Sequence, residues 1–127
     1  MIKEMIICLI IIVSIISIDI FTQNFTEKTV DEVNKMFDSL KVNISSDNKH
    51  KMQNDIEDLE RKWEEMSKCL AYYIEHDELE KVETAIVLMK SYWQEEDYPS
   101  AIARLEEGKF ILKHILEKNS FNLKNIL

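Results

Sequence analysis

Glycine and proline are nearly missing from this chain of 127 residues, which holds one of each. Phosphate-cradling loops and dinucleotide turns need several glycines, so nucleotide sites of those kinds are excluded. The turn residues that sheets require are equally scarce, which points away from an all-β fold. Two cysteines cannot by themselves supply a disulfide framework or a four-ligand zinc site. Positive charge is in deficit: 16 Lys and Arg stand against 24 Asp and Glu, a net charge of −8 with neutral His. No basic face is left over to neutralise phosphates, so nucleic acid is not expected as a partner.

What the chain has in excess comes first along it. Residues 5–21 are apolar except for scattered serines and one charge, Asp19. The uncharged core Met5–Ile18 is 14 residues long, the size of a signal-peptide core; counted through Phe21 the run reaches 17, the short end for a membrane span. A carboxylate at the bilayer centre costs roughly 2.5–3.5 kcal/mol, but much less at the edge, where Asp19 falls. No A-x-A-like cleavage site follows, and Cys8 lies too early to be a lipoprotein cysteine. Residues 1–21 therefore read as an uncleaved, single-pass anchor in the cell membrane. The N-terminus is placed in the cytoplasm and residues 22–127 outside; secretion after signal cleavage is the alternative. Membrane contact is assigned to residues 5–21. Isoleucine on every side of the segment argues against a buried soluble helix.

Beyond Phe21 the composition turns abruptly to charge. Four amphipathic helices are expected, joined by short turns. The first runs near Phe25–Val42 with Val30, Val33, Phe37 and Leu40 on one face. The second, capped by Ser46 or Asp47, carries Met52, Ile56, Leu59, Trp63, Met66, Leu70 and Tyr73 in heptad spacing. The third, capped by Asp77, carries Leu79, Val82, Ile86, Met89 and Trp93. The fourth has Pro99 in its first turn and a seam of Ala101, Leu105, Gly108, Leu112 and Ile115, and ends at Asn119-Ser120. The fold class is all-α: an anchor helix followed by an up-down antiparallel bundle of four helices with heptad-like seams.

Antiparallel neighbours pair residues whose numbers add to a constant. On that basis Met89 opposes Leu105 and Val82 opposes Leu112 between the third and fourth helices. Trp63 opposes Trp93 between the second and third, and Val33 opposes Ile56 between the first and second. Gly108 reads as room for close approach near Ile86. If the anchor ran straight into the first bundle helix, this register would push the charged end of the second helix, from Glu64 to Glu75, into lipid. A bend or break near Thr22–Thr26 is therefore expected, with the bundle tilted or lying along the surface.

The residues that could carry chemistry are few. His50, His76 and His114 show neither H-E-x-x-H nor Glu-x-x-His spacing, so no zinc or di-iron site is read. Cys69 reads as a half-buried structural thiol. The many carboxylates read as solvated helix faces. No catalytic residue, cofactor or metal ligand is assigned, and an enzyme is not expected. Tyr72, Tyr92 and Tyr98 lie off the seams, and with the apolar tail residues Phe121, Leu123, Ile126 and Leu127 they form the candidate interaction surface.

The whole chain resembles a family of small bacterial proteins, mainly from Gram-positive, spore-forming lineages, known only as a domain of unknown function. The similarity rests on the Ile-rich N-terminal segment, on Leu59-Glu-Arg-Lys-Trp63 and on Tyr73-Ile-Glu-His-Asp-Glu-Leu79. It continues through Leu105-Glu-Glu-Gly-Lys-Phe-Ile-Leu-Lys-His-Ile115 and Leu123-Lys-Asn-Ile-Leu127. The resemblance implies a membrane-anchored helical domain facing outside, and no activity or ligand. The expected function is a protein–protein interaction or scaffold module at the envelope, through another envelope protein or self-association. The alternative is an envelope sensor that holds a small ligand or cation at the acidic helix ends and His76.

Overall fold

A computed structural model describes residues 1–126, with side chains through Ser120. Four helices follow in order: α1 (Ile2–Asn43), α2 (Lys49–Leu70), α3 (His76–Gln94) and α4 (Tyr98–Ile126). Each runs antiparallel to the next, and α4 returns to pack on α1, so the bundle closes. The four seams read from periodicity converge on one core. Val33, Phe37, Ile56, Leu59, Val82, Met89, Leu105, Leu112 and Ile115 are all essentially sealed from solvent. Two positions of the expected second seam, Met66 on α2 and Tyr73 in the turn after it, are half-buried.

The anchor and the first bundle helix are one element, not two. The expected bend at Thr22–Thr26 is absent, and α1 is helical through it. The hydroxyl side chains along this part of α1 are satisfied within the helix. The hydroxyls of Ser14 and Ser17 donate to the carbonyls of Ile10 and Val13, each at 2.8 Å. Those of Thr22 and Thr26 donate to the carbonyls of Asp19 and Thr22 at 3.0 and 2.7 Å. A hydroxyl folded back onto the preceding turn needs no water and no chain reversal.

The register also differs, and this removes the reason for a bend. Lys62 pairs with Glu32 at 2.9 Å, and the Thr29 hydroxyl donates to the Met66 sulfur at 3.6 Å. These contacts slide α2 along α1 by roughly one and a half turns from the expected pairing. The end of α2 thus stops level with Thr22–Thr26 and never passes Phe21. Between α2 and α3, Lys90 donates to Glu60 at 2.9 Å, and Trp63 lies beside Ile86 and Val87, not opposite Trp93. Between α3 and α4 the expected register holds: Lys118 reaches Glu75 and Arg104 lies over Tyr92.

Turn length explains which pairings were legible. The Glu95–Asp97 turn is short and closes with Asp97 N–H on the Tyr92 carbonyl at 2.9 Å, while Glu96 takes a left-handed φ of 61°. This is a helix-ending motif that fixes geometry tightly. The Asp97 carboxylate then accepts from the Ser100 N–H at 3.3 Å and starts α4. The other two turns, Ile44–Asn48 and Ala71–Glu75, are longer and leave a heptad seam free to slide. Helix boundaries differ in detail as well. Asn48 caps α2 through its side chain, Glu75 precedes α3, and α4 continues past Ser120 to Ile126 where an end was expected.

Gly108 makes the close approach expected of it, but toward Phe37 of α1 and not Ile86. A Cβ at that position would lie 3.0 Å from Phe37 Cζ and 3.8 Å from Ala85 Cβ. Gly108→Ala gains about 1 kcal/mol of helix propensity and meets an overpacking cost of about 1–3 kcal/mol. The expected net effect is a loss of about 1 kcal/mol in urea unfolding. In a Phe37→Leu background the same change becomes neutral or stabilising. Stabilisation by Gly108→Ala in the parent would show that the Phe37 ring does not set this spacing.

Candidate functional site

Two regions of the molecule are unlike an ordinary soluble bundle. One is the N-terminal half of α1. No residue of its most apolar stretch, long enough to cross a membrane, is buried among the described residues. Residues 2–21 rise about 30 Å at 1.5 Å per residue, close to the thickness of a hydrocarbon core.

The second region lies at the end of that stretch, where a collar of polar side chains ties α1 to the α2–α3 turn and to α4. Thr26 is fully buried and stands at its centre. Its hydroxyl donates to the Thr22 carbonyl. That leaves two acceptor positions, which face the Tyr73 hydroxyl at 2.8 Å and the Asn119 amide at 3.4 Å. One donor and two acceptors exhaust a hydroxyl, so Thr26 is saturated. The second Asn119 N–H donates to Gln23 Oε1 at 3.0 Å, and the Gln23 amide donates onward to Glu27 at 3.1 Å. Tyr73 also reaches the Thr22 carbonyl at 3.3 Å. Burial pushes the Tyr73 phenol above its ordinary value of 10.0, although the Thr26 contact works in the opposite direction.

A small cleft of about 70 Å³ adjoins the collar, lined by residues that include Tyr73, Glu78, Ile115 and Lys118. Glu78 is buried there, with Lys118 at 3.7 Å and His114 at 3.4 Å. On another side of the bundle a groove of about 240 Å³ opens between α2 and α3. Trp63, Ile86 and Val87 form its apolar part, and Glu60, Glu64 and Glu83 flank them.

The expected interaction residues do not form one patch. Tyr72 sits on the α2–α3 turn beside the collar and is 91% exposed. Tyr92 and Tyr98 lie at the opposite end, half-buried against the core, with the Arg104 guanidinium 6.0 Å from the Tyr92 ring. Phe121, Leu123, Ile126 and Leu127 lie outside the described side chains. His76 is the first residue of α3, exposed, and 2.9 Å from Glu80. His50 is exposed on α2, 3.4 Å from Asn54. Cys69 is exposed, not half-buried. Among the described residues no three of His, Cys, Asp or Glu gather at ligand distance.

The sequence reading missed the collar. Thr22, Gln23, Thr26 and Asn119 are ordinary polar residues with no motif spacing. The available signal was helical periodicity: Thr26 and Thr29 continue the face of Val30 and Val33, so polar residues stood where apolar ones belong.

The collar makes a mutational prediction. Thr26→Val keeps shape but removes the acceptor shared by Tyr73 and Asn119, leaving Tyr73 only its longer bond to the Thr22 carbonyl, and costs about 1–3 kcal/mol. Tyr73→Phe removes one partner and costs about 1 kcal/mol. Together they cost less than their sum, because they share one hydroxyl. A raised phenol value stabilises the fold fully below about pH 10, and that contribution is lost as pH rises through the folded value. The gap between parent and Tyr73→Phe in thermal melts should therefore narrow above about pH 10. Additive costs and a constant gap would contradict the collar geometry.

No curated protein and no solved structure matches the chain. A family model covers residues 20–126, which is the bundle together with the collar and the last turn of the apolar stretch. The chain therefore belongs to the family described as a domain of unknown function (DUF4363).

Proposed function

We propose that the protein is a membrane-anchored module for protein–protein interaction at the cell envelope. The anchor is the N-terminal half of α1, the N-terminus is cytoplasmic, and the bundle faces outside. One observation carries the reading: the bare apolar stretch and the first helix of the acidic bundle are a single continuous α1. An apolar surface of that length has a favourable environment in lipid and none in water. The Lys3 side chain and the terminal amine support the orientation.

The α2–α3 groove is the contact surface this reading favours. Val87 is 54% exposed beside the buried Trp63, and three glutamates flank them. A partner with basic residues around an apolar side chain suits such a surface. No catalytic role is assigned to any residue of the bundle.

Cross-linking in native cells tests this, followed by purification from solubilised membranes through a C-terminal tag and mass spectrometry. One stoichiometric partner, or a specific homo-oligomer, is expected, and Val87→Arg should abolish its recovery without unfolding the bundle. Release of the protein from membranes by alkaline carbonate would contradict the anchor. Recovery of the monomer alone would contradict the interaction module.

A further inference from the structure

We propose that the membrane-proximal end of the bundle is itself a lipid-contact surface. The Ala71–Glu75 turn and the Phe21–Phe25 pair rest in the headgroup layer, so the bundle stands upright on the bilayer. This rests on the anchor reading above and adds the stance of the bundle and the residues that set it.

Height along α1 gives the argument. The Tyr73 hydroxyl lies 3.3 Å from the Thr22 carbonyl, so the α2–α3 turn is level with the first residue beyond the apolar run. Tyr72, its neighbour, is the most exposed large apolar side chain among the described residues of the bundle, at 91%. On α1 at the same level Phe21 is 70% exposed, and its ring stacks on Phe25 with centroids 6.5 Å apart. Two exposed aromatic side chains, Tyr72 and Phe21, thus project where the span ends, with Phe25 half-buried against the core behind them. Tyrosine concentrates at this depth because its apolar ring and its polar hydroxyl are both satisfied there, and the phenylalanine rings reach the acyl boundary beside it.

The charged groups at this end include Glu75, His76 and Asp77, all exposed. Glu75, the carboxylate on the turn, is paired with Lys118 at 3.0 Å. Exposed Lys68 has a long stem that can lie along the interface with its ammonium in the headgroups. The grooves at α2–α3 and at α1–α2 lie on the flanks of the bundle and not at this end. At the far end of α1, Val42 is 80% exposed and lies about 30 Å further along the helix axis than Thr22.

Brominated lipids provide the test. The full-length chain is reconstituted into phosphatidylcholine vesicles, with or without bromine on the upper acyl chain, as parent, Tyr72→Trp and Val42→Trp. Buried Trp63 and Trp93 give a background common to all three. The emission that Tyr72→Trp adds over the parent should be blue-shifted and strongly lost in brominated vesicles. The emission that Val42→Trp adds should be unaffected. If both variants are quenched alike, the bundle lies along the surface and the upright stance is overturned. If neither is quenched while the protein floats with the vesicles, the turn does not touch lipid and the proposal fails with the anchor intact. If the protein does not float, the anchor reading fails and takes this proposal with it.

Discussion

The hydroxyl of Thr26 is the point on which the architecture turns. It sits where a helix bare of any packing partner becomes a helix packed on two sides. A side chain that enters a packed core needs its polar groups satisfied there. Thr26 does this by closing onto the Thr22 carbonyl and accepting from Tyr73 and Asn119. The same atom thereby joins α1, the α2–α3 turn and α4.

Above the collar the energetics are those of an ordinary helical bundle. Burial of one apolar stripe from each helix supplies most of the stability. Ion pairs between helices, such as Lys109 with Asp38 at 2.6 Å and Lys41 with Glu106 at 3.0 Å, are largely exposed and contribute little each. Their effect is on register: a sliding heptad seam costs little until charges must leave their partners. Lys62 with Glu32 is the clearest case, because the pair is partly covered and lies where α2 departs most from its simple pairing. Hydrogen bonding to Lys62 holds the Glu32 carboxyl below its ordinary range.

Much of this was legible in the sequence. The all-α class, the seam residues, the Pro99 start of α4 and the α3–α4 register all follow from period and turn chemistry. What the pattern does not encode is how far one heptad seam slides on another when the turn is long. That single ambiguity produced the expected break at Thr22–Thr26, since a misplaced α2 would have driven charges into lipid. The collar was hidden for a related reason. A threonine at a seam position looks like an interruption until the partner that satisfies it is known, and Tyr73 and Asn119 are far away in sequence. The tyrosines were recognised as off-seam, but only the fold separates Tyr72, at the foot of the bundle, from Tyr92 and Tyr98 at its top.

Continuity of α1 through the collar is the central claim, and a distance across it is the most direct test. Nitroxide labels at native Cys8 and at Lys35→Cys, with Cys69→Ser, flank the junction from opposite sides in the chain reconstituted in lipid. At 1.5 Å per residue an unbroken helix places the two backbone positions about 40 Å apart. A narrow distribution near that value by pulsed electron resonance is the predicted result. A broad distribution, or one centred well below it, would mean that the helix bends or breaks at Thr22–Thr26 and would contradict the account.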